Sequence, residues 1–570
     1  MTTGSSAFLE ALVEARVSHI FANLGSDHSG LMEAIAEATA LDRPIPRLVI
    51  CPTEMVALSA AHAFAQVSGI AQAVIVHVEC GTQSLAGAVH NAAKGRVPVL
   101  LFAGTSPSTQ RGELKGSRNE FIQWIQDVFD QRGLVRGYAK YNNEIRNAEN
   151  IKELVHRALR FAYSDPKGPV YLTAAREVLE ATVPPRPKEP EGWHPIEPSA
   201  LTVESARKIA TDLINARRPI LVTSYLGRNP MAVAELVALC ERVGIGVLES
   251  VPSYANFPHS NPLYLGNQWN EPHQNSNLAE ADLVLVIDSD VPWIPLLNKP
   301  RDDAQIYHID VDPLKLQMPI SVMSRGRAYL ADALTALKQI NGQLETLDIR
   351  PDPLADRRAH YAKLHLERQS SLRRKERGAG DTITPEYLTA CIRDKLDGDT
   401  LVVSEGVSNY QVITNHLHID RPGALIASGG GSLGWNGGAA IGAKLAAPEK
   451  TVVALTGDGS YMMSIPSSVH WMSRRYGAPF LQVIYNNGGW KSPKLSTLAI
   501  HPQGYAEGAT DFLGAFPEAP DYASIAAAAG GALARAIRHP AQLQSALEEG
   551  LHAVRVEKRS AVLDVHLAPL

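Results

Sequence analysis

The 570-residue chain lacks features that mark several classes of protein. Its four cysteines show no CxxC pair and no zinc-ligand spacing, which indicates a reducing compartment and structural roles. No apolar run approaches the roughly 18 residues that a transmembrane helix needs. The N-terminal stretch has an amphipathic helical pattern and lacks the basic and apolar regions of a secretory signal. These absences favour a soluble cytoplasmic protein.

The chain also lacks a large excess of acidic or basic residues. The formal net charge is −5 without a long acidic or basic tail, so the sequence does not favour nucleic acid or a membrane surface as a partner. No predicted strand is followed by a GxGxxG turn, which argues against an NAD-binding enzyme. The length fits about three domains of roughly 100–200 residues each.

Apolar strands alternate with helical segments along most of the chain. Examples are Arg47–Ile50 in the first part, Leu283–Ile287 in the middle and Ala561–His566 at the end. This alternation predicts an α/β fold with three doubly wound parallel-sheet domains. The charges of residues 357–377 alternate in sign, which favours a solvated helix face. The predicted domains are 1–182, 200–342 and 380–570, separated by a proline-rich linker at 183–199 and a charged linker at 343–379.

The most informative pattern lies between residues 451 and 491. A buried strand, Thr451–Leu455, leads into Gly457-Asp458-Gly459, and a second strand, Phe480–Tyr485, ends in Asn486-Asn487-Gly488-Gly489. The segment between them is helical, so Asp458 and Asn487 are expected at the carboxyl ends of two parallel strands, where ligands usually bind. Their oxygens and a nearby backbone carbonyl suit a Mg²⁺ ion that completes its shell with phosphate oxygens. Taken singly, each motif also has the composition of an ordinary turn.

Together, about 29 positions apart, the two motifs resemble the thiamine diphosphate (ThDP) signature, GDG followed by NN. The resemblance extends over the whole chain, as a pyrimidine-binding, a central and a diphosphate-binding domain. The segment lengths are similar to those of acetolactate synthases, pyruvate decarboxylases, oxalyl-CoA decarboxylases and 2-hydroxyacyl-CoA lyases. The resemblance implies ThDP and Mg²⁺ as cofactors. The metal would be held by Asp458, Asn487 and Gly489, and the cofactor would contact Gly457, Asp458, Gly459, Ser460 and Asn487.

Two further segments match the family pattern. Glu54 follows a strand and opens a helix of small residues, where a family glutamate hydrogen-bonds ring N1′ of the aminopyrimidine, although a plain helix-start acid also suits this position. The segment Ser428-Gly-Gly-Gly-Ser-Leu-Gly resembles the turn whose bulky residue wedges beneath ThDP. This implies Leu433 as the wedge and the Gly431 carbonyl as acceptor for the 4′-amino group. Family members bind the pyrimidine and the diphosphate on different subunits, which implies a homodimer or homotetramer with the active site at the interface.

The first domain supplies candidate catalytic groups. Asp27 and His28 follow a strand at the point where pyruvate decarboxylases carry an active-site aspartate, although Asp27 also suits a helix N-cap. Gln123 lies in a polar stretch that would either line the pocket or form an ordinary helix face. The adjacent histidine pair of pyruvate decarboxylases is missing here. Pro493 also replaces their glutamate beyond the metal site, and both differences disfavour simple acetaldehyde release.

The central domain bears on further cofactors and on the reaction. The segment Ser224-Tyr-Leu-Gly-Arg-Asn departs from the glycine-rich segment expected for the FAD of acetolactate synthases, so FAD is doubtful. No basic cluster in this domain marks a CoA phosphate site. The prediction is a Mg²⁺/ThDP-dependent lyase or transferase that makes or breaks a C–C bond next to a carbonyl. The favoured reaction is acetolactate-synthase-like decarboxylation and carboligation of a 2-oxo acid.

Two alternatives stay open. A 2-hydroxyacyl-CoA lyase would use the same cofactors, and Ser404-Glu-Gly-Val-Ser-Asn is similar to a turn of that group. A non-catalytic regulatory homologue with the ThDP fold is the alternative from a different class. Loss of Glu54, Asp458 or Asn487 would mark such a protein, and the sequence retains all three.

Overall fold

A computed structural model describes residues 2–184, 193–322, 325–378, 380–509, 514–516 and 518–568. Within these residues the strands form three six-stranded sheets whose neighbouring strands run parallel. The prediction of three doubly wound α/β domains is thereby confirmed. Half of the predicted proline-rich linker, residues 185–192, lies outside the described residues. No helix in the described part of the chain combines the length and the apolar character that crossing a membrane requires.

The four inner strands of the first sheet are apolar and helices cover both faces of the sheet, which explains their nearly continuous burial. Its strands are β1 His19–Ala22, β2 Arg47–Ile50, β3 Gln72–Val76, β4 Val99–Thr105, β5 Tyr141–Ile145 and β6 Pro169–Ala175. The helices are α1 Gly4–Glu14, α2 Ser29–Ala40, α3 Glu54–Ser68, α4 Val78–Ser84, α5 Ala86–Lys94, α6 Ile122–Ile125, α7 Ile151–Tyr163 and α8 Arg176–Glu180. The strand order is β2-β1-β3-β4-β6-β5.

The central sheet has a different connectivity. Its strands are β7 Pro219–Thr223, β8 Gly246–Glu249, β9 Tyr264–Asn267, β10 Leu283–Ile287, β11 Gln305–Asp310 and β12 Arg327–Leu330. The helices are α9 Val203–Asn215, α10 Pro230–Val243, α11 Ser276–Glu280, α12 Ala333–Leu344 and α13 Pro351–Lys375. The order β12-β11-β10-β7-β8-β9 reverses direction between β10 and β7, which makes this the topological switch point of the sheet.

The third sheet repeats the topology of the first. Its strands are β13 Thr400–Glu405, β14 Leu425–Ala427, β15 Thr451–Gly457, β16 Leu481–Asn486, β17 Leu533–Ile537 and β18 Ala561–His566. The helices are α14 Pro385–Arg393, α15 Tyr410–Leu417, α16 Asn436–Ala446, α17 Asp458–Met463, α18 Pro466–Tyr476, α19 Lys491–Ile500, α20 Tyr522–Gly530 and α21 Leu543–Arg555. The order β14-β13-β15-β16-β18-β17 matches the first sheet strand for strand, a repeat that the residue identities do not reveal.

The first and third domains pack directly on each other through α3 and α16. An added Cβ at Gly442 would lie 1.9 Å from the Ala60 carbonyl oxygen, and one at Gly438 would lie 2.8 Å from the Val56 carbonyl oxygen. Buried apolar residues of both domains form one continuous cluster around this contact. The two glycines therefore let the helix backbones touch, which no larger residue would allow.

The charged stretch after the central domain forms α13, which packs on that domain. Arg357 is buried and donates to the carbonyl oxygens of Leu213 at 2.8 Å and Ala216 at 2.9 Å, at the end of α9. The Tyr361 hydroxyl donates to the Pro219 carbonyl at 2.9 Å. The expectation of a solvated face is wrong at Arg357, because the last carbonyl groups of α9 need donors that a guanidinium can supply.

Candidate active site

The two motifs of the third domain meet at the carboxyl edge of its sheet. Strand β15 ends at Gly457, and Asp458 begins α17 directly after it. The adjacent strand β16 ends at Asn486, so Asn487 is the first residue beyond it. Parallel neighbouring strands place their carboxyl ends side by side, which brings both motifs to one place.

Asp458 is a fixed, desolvated carboxyl group. Its Oδ1 accepts from the backbone N–H of Gly459 at 2.8 Å and its Oδ2 from that of Gly489 at 2.9 Å. Gly488 and Gly489 have φ angles of +77° and +149°, which glycine adopts without strain. Burial raises the pKa of Asp458 to about 6, although the N–H bonds act in the opposite direction. A cation at this carboxylate would offset the cost of burying its charge.

Asn487 has an amide oxygen that nothing satisfies. Its Nδ2 donates to Ser408 Oγ at 3.4 Å, whereas its buried Oδ1 accepts from no group among the described residues. An unsatisfied buried acceptor costs about 1–3 kcal/mol, and a hard cation is a partner that suits an amide oxygen. No set of three His, Cys, Asp or Glu side chains suited to a metal occurs in the described ranges. The Asp458 and Asn487 oxygens therefore fit a Mg²⁺ ion that takes its other ligands from backbone and phosphate.

A cavity of about 250 Å³ opens beside these side chains. Trp490 is 41% exposed at its rim, and its ring meets the Phe516 ring edge-on, with centroids 5.4 Å apart. Gly459 lies against this indole, since an added Cβ would be 2.6 Å from the ring. The cavity brings together most of the predicted cofactor and metal residues, namely Leu433, Gly457, Asp458, Gly459, Ser460, Asn487 and Gly489.

Gly431 does not line this cavity, but the turn around it is held firmly by the first domain. The Gly431 N–H donates to His90 Nε2 at 3.2 Å. Asn91 of α5 clamps the next residue, because its Nδ2 donates to the Ser432 carbonyl at 2.8 Å and its Oδ1 accepts from the Ser432 N–H at 3.0 Å. The turn that presents Leu433 is therefore fixed by contacts between domains.

Glu405 anchors the other end of the same turn, a role that the sequence did not indicate. It is the last residue of β13 and is 1% exposed. Its Oε1 accepts from the Trp435 N–H at 3.2 Å and its Oε2 from the Asn436 N–H at 3.1 Å, which caps the start of α16. Burial raises the pKa of Glu405 to about 8 against the effect of these N–H bonds.

Glu54 lies at the carboxyl edge of the first sheet, where α3 begins after β2. The side chain is half-buried, and its Oε1 accepts from Asn23 Nδ2 at 2.9 Å. Gly81 borders the carboxylate, since an added Cβ there would lie 3.2 Å from Oε1. Asn23 follows β1, so two adjacent strands position the acid.

Beside Glu54, the fold assembles a buried aspartate with two histidines from different strands. Asp27 Oδ1 lies 2.5 Å from His77 Nδ1 and 3.2 Å from His28 Nδ1, and its Oδ2 accepts from the Val78 N–H at 3.2 Å. His77 Nε2 lies 3.1 Å from Gln126 Oε1. The His77 side chain is 23% exposed, whereas those of Asp27 and His28 are almost fully buried. His77 is therefore the member of the group that a ligand can reach.

The charges of this group are strongly coupled. The hydrogen bond to Asp27 raises the pKa of His77, and burial opposes this only in part. Burial acts to raise the pKa of Asp27, but His28 and His77 outweigh it and hold that pKa below its usual range. Burial lowers the pKa of His28 and keeps the ring neutral. The arrangement favours an ionised Asp27 paired with a protonated His77.

Models of known families match the chain in three consecutive parts. The N-terminal TPP binding domain of thiamine pyrophosphate enzymes matches residues 2–134, their central domain matches 206–339 and their C-terminal TPP binding domain matches 406–565. The chain belongs to the thiamine pyrophosphate enzyme family. The resemblance of the sequence to thiamine diphosphate enzymes is thereby confirmed.

Relatives within the family include acetolactate synthases. The acetolactate synthase isozyme 3 large subunit of Escherichia coli is 23% identical over 593 residues, which cover 99% of this chain and 95% of that protein. The acetolactate synthase large subunit of Corynebacterium glutamicum is 25% identical over 480 residues, covering 81% and 71%. A 4-hydroxybenzoylformate decarboxylase structure from Rhodococcus jostii RHA1 superposes with a TM-score of 0.79 at 21% identity, covering both chains fully. That structural likeness establishes a shared fold.

In this thiamine pyrophosphate enzyme, Gln123 does not contact the group formed by Asp27, His28 and His77. Gln123 is buried, and its Oε1 accepts from the Asn119 N–H at 2.9 Å, so its amide is used within its own segment. Gln126, three residues later, reaches His77 instead. The single turn α6 points these two glutamines in different directions, a difference that residue spacing alone did not resolve.

Proposed function

We propose that this chain is a Mg²⁺- and ThDP-dependent enzyme that decarboxylates a 2-oxo acid and joins the remaining fragment to a second carbonyl compound. The observation that carries the proposal is the unsatisfied Asn487 Oδ1 beside the desolvated Asp458 carboxylate. Membership of the thiamine pyrophosphate enzyme family supports the cofactor, and the similarity to acetolactate synthases supports the class of reaction.

The third domain would hold the cation and the diphosphate. Asp458 and Asn487 would supply side-chain oxygens to Mg²⁺, and Gly489 would add its carbonyl oxygen. Ser460 has a buried hydroxyl without a partner among the described residues, which makes it available to a phosphate oxygen. Gly459 has no side chain, which would let the diphosphate come close to the backbone at the start of α17.

Bound ThDP would supply the carbon nucleophile and the electron sink that cleavage next to a carbonyl requires. Glu54 would hold the pyrimidine ring through its carboxylate, already oriented by Asn23. Leu433, at the cavity wall, would set the conformation of the cofactor, and the Gly431 carbonyl would accept from its amino group. Glu405 would keep this turn in place by capping α16.

His77 would act as the proton donor at the substrate. Both of its ring nitrogens face oxygen atoms, Oδ1 of Asp27 and Oε1 of Gln126, which stabilises the doubly protonated ring. This observation also favours a second candidate function, decarboxylation with release of an aldehyde, because that outcome needs a proton in place of a second carbonyl compound. The lack of adjacent histidines in the sequence is no obstacle to it, since His28 and His77 come together in the fold.

A second copy of the chain would complete the site. No hydrogen bond among the described residues joins Glu54 or His77 to the Asp458 cavity. Large apolar side chains near the Gln126 segment are exposed, with Phe121 at 77% and Ile125 at 72%, as expected of a surface that another subunit covers. Glu54 of one subunit would then face Asp458 of its partner in a homodimer or homotetramer.

Product analysis tests the proposed reaction. The purified protein is incubated anaerobically with ThDP, Mg²⁺ and a pool of 2-oxo acids, and separately with 2-hydroxyacyl-CoAs, and both are read by mass spectrometry. CO₂ with a 2-hydroxy ketone supports carboligation, and CO₂ with an aldehyde supports the second candidate. Formyl-CoA from the second pool, without turnover of the first, would overturn both in favour of a lyase.

A further inference from the structure

The switch point of the central sheet is the place where a doubly wound domain would bind a nucleotide. A diphosphate at such a place needs free backbone N–H groups at the end of a strand and the start of a helix. The similarity to acetolactate synthases raises the question of whether a flavin dinucleotide binds here. The contacts of the residues at the ends of β7 and β10 decide whether a flavin dinucleotide fits.

The backbone donors at this place are already used. The N–H groups of Ser224 and Tyr225, directly after β7, both donate to the Asp288 carbonyl at 3.0 Å. Helix α10 begins with Pro230, which has no N–H, and the Asn229 side chain takes the Met231 N–H at 3.2 Å. No diphosphate cradle is left at this strand end.

Side chains fill the space that a nucleotide would occupy. The Tyr225 side chain is buried, and its hydroxyl donates to Asp310 Oδ2 at 2.5 Å. Arg96 reaches across from the first domain, with its guanidinium carbon 4.5 Å from the centre of the Tyr225 ring. It pairs with both oxygens of Asp290, at 2.9 and 2.7 Å. Lys315 closes the group, with Nζ 2.6 Å from Asp310 and 2.8 Å from Asp290.

This group, which we call the Arg96 clamp (Arg96, Tyr225, Asp290, Asp310 and Lys315), divides the remaining space. One cavity of about 190 Å³ has Tyr225 in its wall, and another of about 310 Å³ has Arg96 and Lys315 in its wall. Asp290 borders both. Cavities for drug-sized ligands typically have volumes of about 300–1,000 Å³. The first half lies below this range and the second at its lower end, and a dinucleotide is larger than a drug-sized ligand.

The charge of the place also opposes a diphosphate. Four carboxyl groups lie at or just beyond the ends of β10 and β11. Arg96 and Lys315 pair with Asp290 and Asp310, and Arg228 lies 3.3 Å from Asp288. A phosphate would have to break these buried ion pairs, and breaking a buried pair leaves an uncompensated charge. The four are Asp288, Asp290, Asp310 and Asp312.

We propose that the Arg96 clamp takes the place of a nucleotide: the central domain binds no flavin or adenine dinucleotide, and Arg96 instead ties the first domain to the central one. The clamp is complete within one chain and uses donors and acceptors that a cofactor would otherwise engage. The protein would therefore need ThDP and Mg²⁺ but no flavin.

Release and titration of nucleotides test the first half of the proposal. The purified protein, loaded with ThDP and Mg²⁺, is heat-denatured, and the supernatant is assayed for flavin fluorescence. The native protein is also titrated with FAD and with ADP in a calorimeter. The expected result is no released flavin and no heat beyond dilution. One flavin per chain, or saturable binding of either nucleotide, would overturn the proposal.

Hydrogen–deuterium exchange tests the second half. Arg96→Met keeps the length of the side chain but removes the pairing with Asp290, and it should speed exchange in residues 92–98 and 285–291 and lower the melting temperature. Arg43→Met is the matched control, because Arg43 is 60% exposed and lies 3.7 Å from Glu37 at the surface. Equal exchange and melting in both variants would overturn the tie between domains. If Arg96→Met does not fold, Asp290→Asn, which removes the charge of Arg96's partner from the central-domain side, takes its place in both measurements.

Discussion

Substitution of His77 tests the proposed proton donor independently of the residues that would hold ThDP and Mg²⁺. A Gln side chain at this position can still donate a hydrogen bond to Asp27, so the local structure is largely kept. Its amide does not ionise, so it cannot transfer a proton to the substrate. His77 is the only exposed member of the group formed by Asp27, His28 and His77, which are 1%, 0% and 23% exposed in their side chains. Neither of its two neighbours can substitute for it.

The expected loss follows from the role of a general acid or base. Such a group contributes roughly 10²–10⁴-fold to the rate, so His77→Gln should lower kcat by about that factor with little change in ThDP affinity. The effect also depends on pH. Because Asp27 raises the pKa of His77, the native rate should fall as pH rises through that raised pKa, whereas the residual rate of His77→Gln should not follow this titration.

The assay measures CO₂ release and product ratio between pH 5 and 9, a range chosen to include the usual histidine pKa of about 6.5. His552→Gln serves as the control, since this histidine is 59% exposed and lies outside the site. Aldehyde release should suffer more than carboligation, because aldehyde release needs a proton on the reacting carbon. Carboligation bonds that carbon to a second carbonyl compound and protonates only the resulting oxygen. A native kcat with an unchanged pH profile in His77→Gln would refute the assignment.

Three further substitutions test other parts of the account. Glu54→Gln should nearly abolish turnover while ThDP affinity and melting temperature stay close to native, and native turnover would disprove the pyrimidine role. Leu433→Ala should lower kcat more than it weakens ThDP binding, so an unchanged rate would remove Leu433 from the wedge position. Gly442→Ala places a Cβ 1.9 Å from the Ala60 carbonyl oxygen and should destabilise the fold by about 1–3 kcal/mol. Chemical denaturation measures this loss, and native stability would contradict the close packing of α3 and α16.

The inner strands could be predicted from the sequence because both faces of a parallel sheet are buried. Leu283–Ile287 and Ala561–His566 match the inner strands β10 and β18 residue for residue. The edge strands were harder to recognise. Strands β5, β12 and β17 carry polar or exposed residues, and β14 has only three residues, so their patterns resemble loops.

The motifs of the third domain were predictable because strand, turn and helix signals all agree within 41 consecutive positions, 451–491. His77 was missed because its partners Asp27 and Gln126 are about 50 positions away on either side. Only the order of the strands brings them together. The same holds for Arg96, whose partner Asp290 belongs to another domain.

The most direct test of the central claim is calorimetric titration of ThDP with and without Mg²⁺, in the native protein and in Asn487→Leu. Leu has nearly the same shape as Asn but no oxygen for a metal. The account predicts saturable, Mg²⁺-dependent binding to the native protein and its loss in the variant. Native affinity should also fall by about tenfold per pH unit below about 6, because Asp458 must lose its proton to bind the cation. Equal ThDP affinity in both proteins, independent of Mg²⁺, would contradict the claim.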